Sequence, residues 1–407
     1  MNLKLYYFYK IFYDLIPIYP LYLLFFESKG LSINEISILL AIWSAAAVIL
    51  EIPTGVLADH WNRRNMLVIG GILKAFCYIM WIIGDSFHLF AIGFVFWGIG
   101  GAFQSGSEEA LLYDTLKVQE KEDCFDEILG KGRFLSGISN ILASLFGGYI
   151  GARFGFEKAL YLSVLSSLLA ALISTKIQEI NLYKEYVAVN ANKMERNILR
   201  NALTFIIKNP EVLFFSLIGL LVITTAGVLD EYDQLIAKEY GLSVAWIGIW
   251  SALRFMLISF GSYFARGIRM GIEKFMRIKN RIYSICFLCL MAAFFLILSG
   301  VVKGMGIMSL YGLYYFIMAA GEVIQEDYIQ QKITMEGRST VHSVLSLTGN
   351  FYAIMCFMLF GAVVSQVGLL SGLIFAGLYI IIWVTIIGLT YMINKKYIGA
   401  KRVTKNS

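Results

Sequence analysis

Charge is what this chain has least of. Only 15% of its 407 residues are Asp, Glu, Lys or Arg, against 58% hydrophobic, and its mean hydropathy is +0.71. That is too little polar side chain to coat a water-soluble globule of this size, so the chain belongs in a bilayer. Histidine is scarcer still. His60, His88 and His342 are the only three and stand far apart, and neither a metal-spaced set nor a Ser/His/Asp constellation is visible. No catalytic residue, cofactor or metal site is therefore expected, which counts against the alternative of a membrane-embedded enzyme acting on lipid. Five cysteines are scattered, and the nearest pair, Cys286 and Cys289, sits in an apolar run without His or acidic neighbours, so helix packing is their expected role. Of only four prolines, Pro17 and Pro20 fall in the first apolar run.

What the chain has in abundance is long apolar runs. A span needs about 20 apolar residues, and twelve candidates occur in two groups of six. The expected division is a six-helix bundle over 1–175, a polar linker over 176–210, a second six-helix bundle over 211–393 and a basic tail over 394–407. The fold class expected is an all-α polytopic membrane protein of twelve helices in two pseudo-symmetric halves. Gly55 and Gly261 recur at nearly the same offset as Gly132-Arg133 and Gly337-Arg338, which argues for duplication of a six-helix unit. In the linker, Met194, Ile198, Leu199, Leu203 and Ile206 recur at helical spacing among Lys193, Arg196, Arg200 and Lys208, a pattern for an amphipathic helix on the lipid surface.

The net charge of +6 is not gathered into a patch, which argues against nucleic acid. Lys and Arg fall in alternate loops, among them Arg63, Arg64, Lys117, Lys121, Lys131, Lys332, Arg338 and the tail. Placing both termini in the cytoplasm gives a strong positive-inside bias, so an integral, multi-pass plasma (inner) membrane protein is expected, working as a monomer. The first run carries Lys10 and Asp14 and has no small-residue cleavage site behind it, so the N-terminus is expected to be retained.

Between the second and third runs the chain reads Gly55-Val56-Leu57-Ala58-Asp59-His60-Trp61-Asn62-Arg63-Arg64. This resembles the Gly-x-Leu-Ala-Asp-Arg-x-Gly-Arg-Arg/Lys signature of the Major Facilitator Superfamily, departing where His60 replaces Arg and Asn62 replaces Gly. The resemblance extends over the twelve-span pattern and implies alternating access, in which two halves rock about a central site. It further implies a conformational latch on the cytoplasmic side. Gly55 would allow close helix approach, Asp59 would meet the start of the eleventh helix near Arg338, and Arg63 or Arg64 would pair with Asp114 at the end of the fourth. The plain alternative is that Arg63 and Arg64 only obey the positive-inside rule. Drug/proton antiporters of this superfamily carry Gly-Pro in the fifth helix, whereas Ala143-Ser144 stand there, ahead of Gly147-Gly148.

Ionisable residues inside spans cost about 2.5–3.5 kcal/mol each on insertion scales and are functional candidates by default. Lys10 and Asp14 lie one turn apart in the first span, where they can neutralise each other or leave Asp14 facing a cavity. In the seventh span Asp230 and Asp233 follow Thr224-Thr225-Ala226-Gly227, which can soften the helix, unless these acids sit in water at the membrane edge. Arg254 in the eighth needs an anion, with Asp230, Asp233 and Glu322 as candidates. On the tenth, Tyr311, Tyr315, Met318, Glu322, and Gln325 or Glu326 repeat at three to four residues, a stripe suited to an organic cation or, alternatively, to core packing. Gln104, Glu108, Asn140 and Asn350 add polarity. The function expected is a secondary active transporter, proton-coupled, exporting amphipathic or cationic small molecules, with Glu322, Asp14 or Asp230 carrying the proton. The alternatives are uptake of a polar or anionic metabolite bound by Arg254, or a receptor without flux.

Overall fold

The first apolar run is not one helix. In the computed structural model, α1 (Leu3–Asp14) stops short of Pro17, and α2 (Tyr22–Ser28) begins after Pro20. Proline supplies no amide donor and disfavours helical backbone in the residue before it. The backbone groups freed by this break are taken up by side chains of other helices. The Tyr13 carbonyl accepts from Lys74 Nζ at 2.8 Å and the Phe12 carbonyl from Ser166 Oγ at 2.8 Å. The Ile18 N–H donates to Ser163 Oγ at 3.1 Å and the Leu23 N–H to Gln234 Oε1 at 2.9 Å. In hydrocarbon such compensation is what allows a broken span to exist.

The structure describes residues 3–105, 107–182, 204–277, 280–302, 304–332 and 338–403, and among these no strand occurs. Of the amphipathic linker helix expected from Lys193 to Lys208, residues 193–203 lie outside the described residues, while 204–208 are helical. Long helices follow the break: α3 (Ile33–His60), α4 (Arg63–Ile83), α5 (Phe87–Ser105), α6 (Glu108–Val118), α7 (Phe125–Phe154) and α8 (Phe156–Thr175). The start of α3 is a capping box, in which Ser32 accepts from the Glu35 N–H while the Glu35 carboxylate accepts from the Ser32 N–H. Beyond the linker come α9 (Pro210–Ile218), a π-helical turn (Gly219–Ile223), α10 (Thr224–Glu239), α11 (Val244–Met276), α12 (Arg281–Val301), α13 (Met308–Lys332), α14 (Arg338–Val367) and α15 (Leu369–Val403). Ten stretches among the described residues are long and apolar enough to cross a bilayer. The broken α1–α2 segment and α13, which carries Glu322, Glu326 and Asp327, complete a twelve-helix membrane fold.

By its contacts the chain divides into two compact units. The first holds residues 1–193 with 232–255 and 357–365, and the second holds 194–231, 256–356 and 366–407. The first unit is built on aromatics. Phe26 meets Trp81 edge-on at 4.9 Å between centroids, and Trp81 packs against Phe94 at 5.0 Å. Residues 232–255 are bound into it by Tyr232, whose hydroxyl reaches Ser37 Oγ at 2.7 Å, and by an approach of α11 to α7 where two glycines face each other. A Cβ on Gly248 would stand 2.5 Å from the Gly148 Cα and 2.5 Å from the Ser144 carbonyl oxygen. Nothing larger than glycine fits without moving a helix.

Gly248→Ala is therefore expected to destabilise the protein by about 1–3 kcal/mol, the range for overpacking. Gly267→Ala, on the same helix but with open space around its Cβ position, is expected to hold or raise stability. Thermal unfolding in detergent distinguishes the two, and equal responses would remove the close approach as the reason for Gly248.

Candidate functional site

In the second unit the seventh span changes pitch. Between α9 and α10 the turn Gly219–Ile223 is π-helical, a form found mostly as single turns inside α-helices and frequently at functional sites. Two side chains hold it. Thr224 Oγ1 donates to the Gly219 carbonyl at 3.2 Å, and Gln325 Nε2 on α13 donates to the Phe215 carbonyl at 3.2 Å. A Cβ on Gly219 would stand 2.7 Å from that same Gln325 nitrogen, so the glycine makes room for the amide.

Glu322, Gln325 and Glu326 share one face of α13, being three and four residues apart. Against this face lie two cavities of about 300 and 180 Å³ that share Ile223 and Glu322 in their walls. The larger is bounded by the π-turn, by Glu326 and Gln325, and by Ser346 and Thr348 of α14. The smaller reaches Asp230, Tyr315 and Met318. Among the described residues neither wall contains a Lys or an Arg. Beyond the larger cavity along α9 and α13, Phe215 stacks on Tyr328 with centroids 4.0 Å apart, while Glu211 accepts from the Tyr328 hydroxyl at 2.5 Å and pairs with Lys332 at 2.9 Å.

Several expected site residues lie elsewhere. Tyr311 borders neither cavity; it is fully buried, with its hydroxyl 2.9 Å from that of Tyr315, so the stripe reaches the cavities only from Tyr315 onward. The softening expected at Thr224 to Gly227 falls one turn earlier, at the π-turn. In the first unit, Arg254 Nε lies 3.5 Å from Asp233 Oδ2, and Trp250 Nε1 donates to both oxygens of that carboxylate at 2.9 and 3.0 Å. Of the three acids considered for Arg254, Asp233 is the one placed beside it. Lys10 pairs with Glu108 at 2.8 Å, joined by the Tyr6 hydroxyl and the Gln104 amide, instead of with Asp14. Asp14 is the last residue of α1, at the break.

The first unit also contains a buried cation that the sequence reading overlooked. Lys74, midway along α4, is 6% exposed, donates to the Tyr13 carbonyl and lies 3.9 Å from the centroid of the Tyr13 ring. Its signal was plain, a lone lysine among apolar neighbours from Leu67 to Ile83.

At the hairpin between α3 and α4, Arg63 Nη1 meets Asp114 Oδ2 at 2.5 Å, and its Nε donates to the Ala58 carbonyl at 3.3 Å. Among the described residues the Arg64 side chain reaches Asn65, at 3.4 Å. The chain just after α8 fastens onto this hairpin. Glu179 accepts from the Arg63 and Arg64 N–H groups at 3.0 and 2.7 Å, capping α4 where Asn62 does not. Asn181 Nδ2 donates to the Ala58 and Trp61 carbonyls at 3.0 and 3.1 Å, and the Leu182 N–H donates to Asp114 Oδ2 at 2.9 Å. A Cβ on Gly55 would meet no described atom within 4 Å, so the close approach expected there is not among the described contacts. The side chains of Asp59 and Arg338 lie outside the described residues.

A model of the Major Facilitator Superfamily matches residues 7–354. The uncharacterized MFS-type transporter YxaM of Bacillus subtilis (strain 168) is 21% identical over 234 residues, which is 58% of this chain and 58% of that protein. The Na(+), Li(+), K(+)/H(+) antiporter of Planococcus maritimus is 23% identical over 238 residues, 56% of this chain and 54% of that one. The matches thus span little more than half the length of these relatives. Among solved structures, the nucleoside transporter NupG superposes with a TM-score of 0.72 at 15% identity, covering 96% of this chain and 99% of that chain, a likeness of fold.

The hairpin contacts differ in kind, and so do the expected losses. Asp114→Ala leaves Arg63 buried without its carboxylate and is expected to cost about 3–5 kcal/mol. Glu179→Ala removes a helix cap and is expected to cost about 1 kcal/mol. Thermal unfolding of the two variants tests this order, and a larger loss for Glu179→Ala would show that the cap, not the ion pair, holds the hairpin.

Proposed function

The chain belongs to the Major Facilitator Superfamily, and on that premise we propose that it is a proton-coupled exporter of cationic small molecules in which Glu322 carries both proton and cation in turn. One observation carries this reading: Glu322 stands in the walls of two cavities at once, and among the described residues neither wall offers a fixed cation to neutralise it. An ionised carboxylate in such a place attracts a cation, and a protonated one releases it. Entry of a proton then drives departure of the substrate, and an inward proton gradient favours export. One relative bears the name of a monovalent cation/proton antiporter, the same kind of exchange. Asp230, bordering the smaller cavity, is the second acid available to the proton.

The basic hairpin and tail support a topology with both termini in the cytoplasm of a plasma-membrane protein. We assign the halves to 1–175 and 211–393, joined by 176–210 and followed by the basic tail 394–407. The latch is read as Asp59 with the Arg338 end of α14 and Arg63 with Asp114. Uptake of an anion through Arg254 has weaker support, because Asp233 and Trp250 already surround that guanidinium and its carboxylate.

Glu322→Gln is expected to abolish uphill transport driven by a pH gradient in proteoliposomes. It is also expected to weaken cation binding by about tenfold or more, equivalent to losing at least 1.4 kcal/mol. Uphill transport at the wild-type rate in this variant would remove Glu322 as the coupling group.

A further inference from the structure

The walls of the 300 Å³ cavity are unlike a site for a bulky lipophilic cation. Among the described residues no aromatic lines it, so these walls offer none of the cation–π attraction that such ligands exploit. Hydroxyls and amides take their place. Ser216 comes from α9, Thr224 from the start of α10, Gln325 from α13, and Ser346 and Thr348 from α14, beside Glu322 and Glu326.

The hydrogen-bonding capacity of these groups is skewed toward accepting. Thr224 spends its proton on the Gly219 carbonyl and Thr348 spends its own on the Val344 carbonyl at 2.8 Å, leaving oxygen lone pairs for a donor. The Gln325 amide nitrogen is committed to the Phe215 carbonyl, which leaves its Oε1 as an acceptor. Two carboxylates accept only, when ionised. Ser216 borders the cavity as a residue, but its Oγ is covered by protein, so it is not among the acceptors offered to a ligand. The size also constrains the ligand, because about 300 Å³ is the space of roughly ten liquid waters and the low end for small-molecule pockets.

We propose that this cavity binds a compact, donor-rich ammonium ion, a primary amine that also bears hydroxyl or amide groups, and rejects large lipophilic cations. The ammonium sits at Glu322, and the neutral donors reach Thr224, Thr348 and the Gln325 carbonyl oxygen. The inference rests on the reading of Glu322 as the exchanging carboxylate, and it selects among the cations that reading admits.

The test uses the purified full chain in proteoliposomes under a pH gradient, with substrate-dependent proton flux as the readout. Ethanolamine and glucosamine represent the compact class, tetraphenylphosphonium and ethidium the lipophilic one. The compact amines are expected to drive proton movement and the lipophilic cations to leave it at baseline. Thr224→Val is expected to raise KM for the compact amines by about three- to tenfold, the loss of one hydrogen bond, with a smaller effect on maximal rate. Thr348→Val gives a second reading of the same kind from another helix. Proton flux driven by the lipophilic cations, alone or alongside the amines, overturns the selectivity and leaves the exchange reading standing. An unchanged KM in both variants overturns the assignment of the cavity. Silence toward all four compounds in protein that folds overturns the exchange reading together with it.

Discussion

A polar group inside hydrocarbon has to find its partner within the chain, and that constraint organises this protein. It is visible first in the backbone. The proline pair interrupts the first span and frees donors and acceptors, which Lys74, Ser163, Ser166 and Gln234 collect. The π-turn in the seventh span is held in the same way by Thr224 and Gln325. In both places an irregular stretch survives because another helix supplies a side chain at the right height, so each irregularity also fastens two helices together.

The same constraint sorts the charges into two kinds. Lys10 with Glu108, Arg63 with Asp114 and Arg254 with Asp233 are cations set against acids in buried surroundings. Buried pairs of this kind are weak sources of net stability but expensive to break, so they hold geometry more than they hold the fold. Glu322 belongs to the second kind, an acid at the wall of open space with no Lys or Arg lining that space among the described residues. A carboxylate so placed can be neutralised by a proton or by a cation that enters, which is what the proposed exchange requires of it.

Much of this architecture was legible in the sequence because it depends on local quantities. Apolar run length marks spans, Pro17 and Pro20 mark a break, and the three-to-four spacing of Tyr315, Met318, Glu322 and Glu326 places all four at cavity walls. The charge partners were less legible, because pairing depends on which helices lie side by side. Lys10 and Asp14 are neighbours along one helix, yet Lys10 pairs with Glu108 on a distant segment. Tyr311 keeps the spacing of the stripe but borders neither cavity, since a 3.6-residue repeat defines a face and not how far along it a cavity extends. Lys74 is conspicuous as a lone lysine in an apolar run, but its partner, like that of Glu179, is not. Each serves backbone groups of another segment, and nothing in a sequence pattern records a carbonyl or an amide left open elsewhere.

Glu179 changes the meaning of the linker. A connection between duplicated halves need only be long enough, and a slack tether transmits no force. Here its first residues are instead bonded at both sides of the hairpin, Glu179 to the amides that begin α4 and Asn181 to the carbonyls that end α3. Leu182 shares Asp114 with Arg63, so the carboxylate that holds the arginine also holds the chain leaving α8. Any displacement of the hairpin must therefore either carry the start of the linker with it or break several hydrogen bonds at once. The hairpin and the residues just after α8 are thereby joined into one mechanical part.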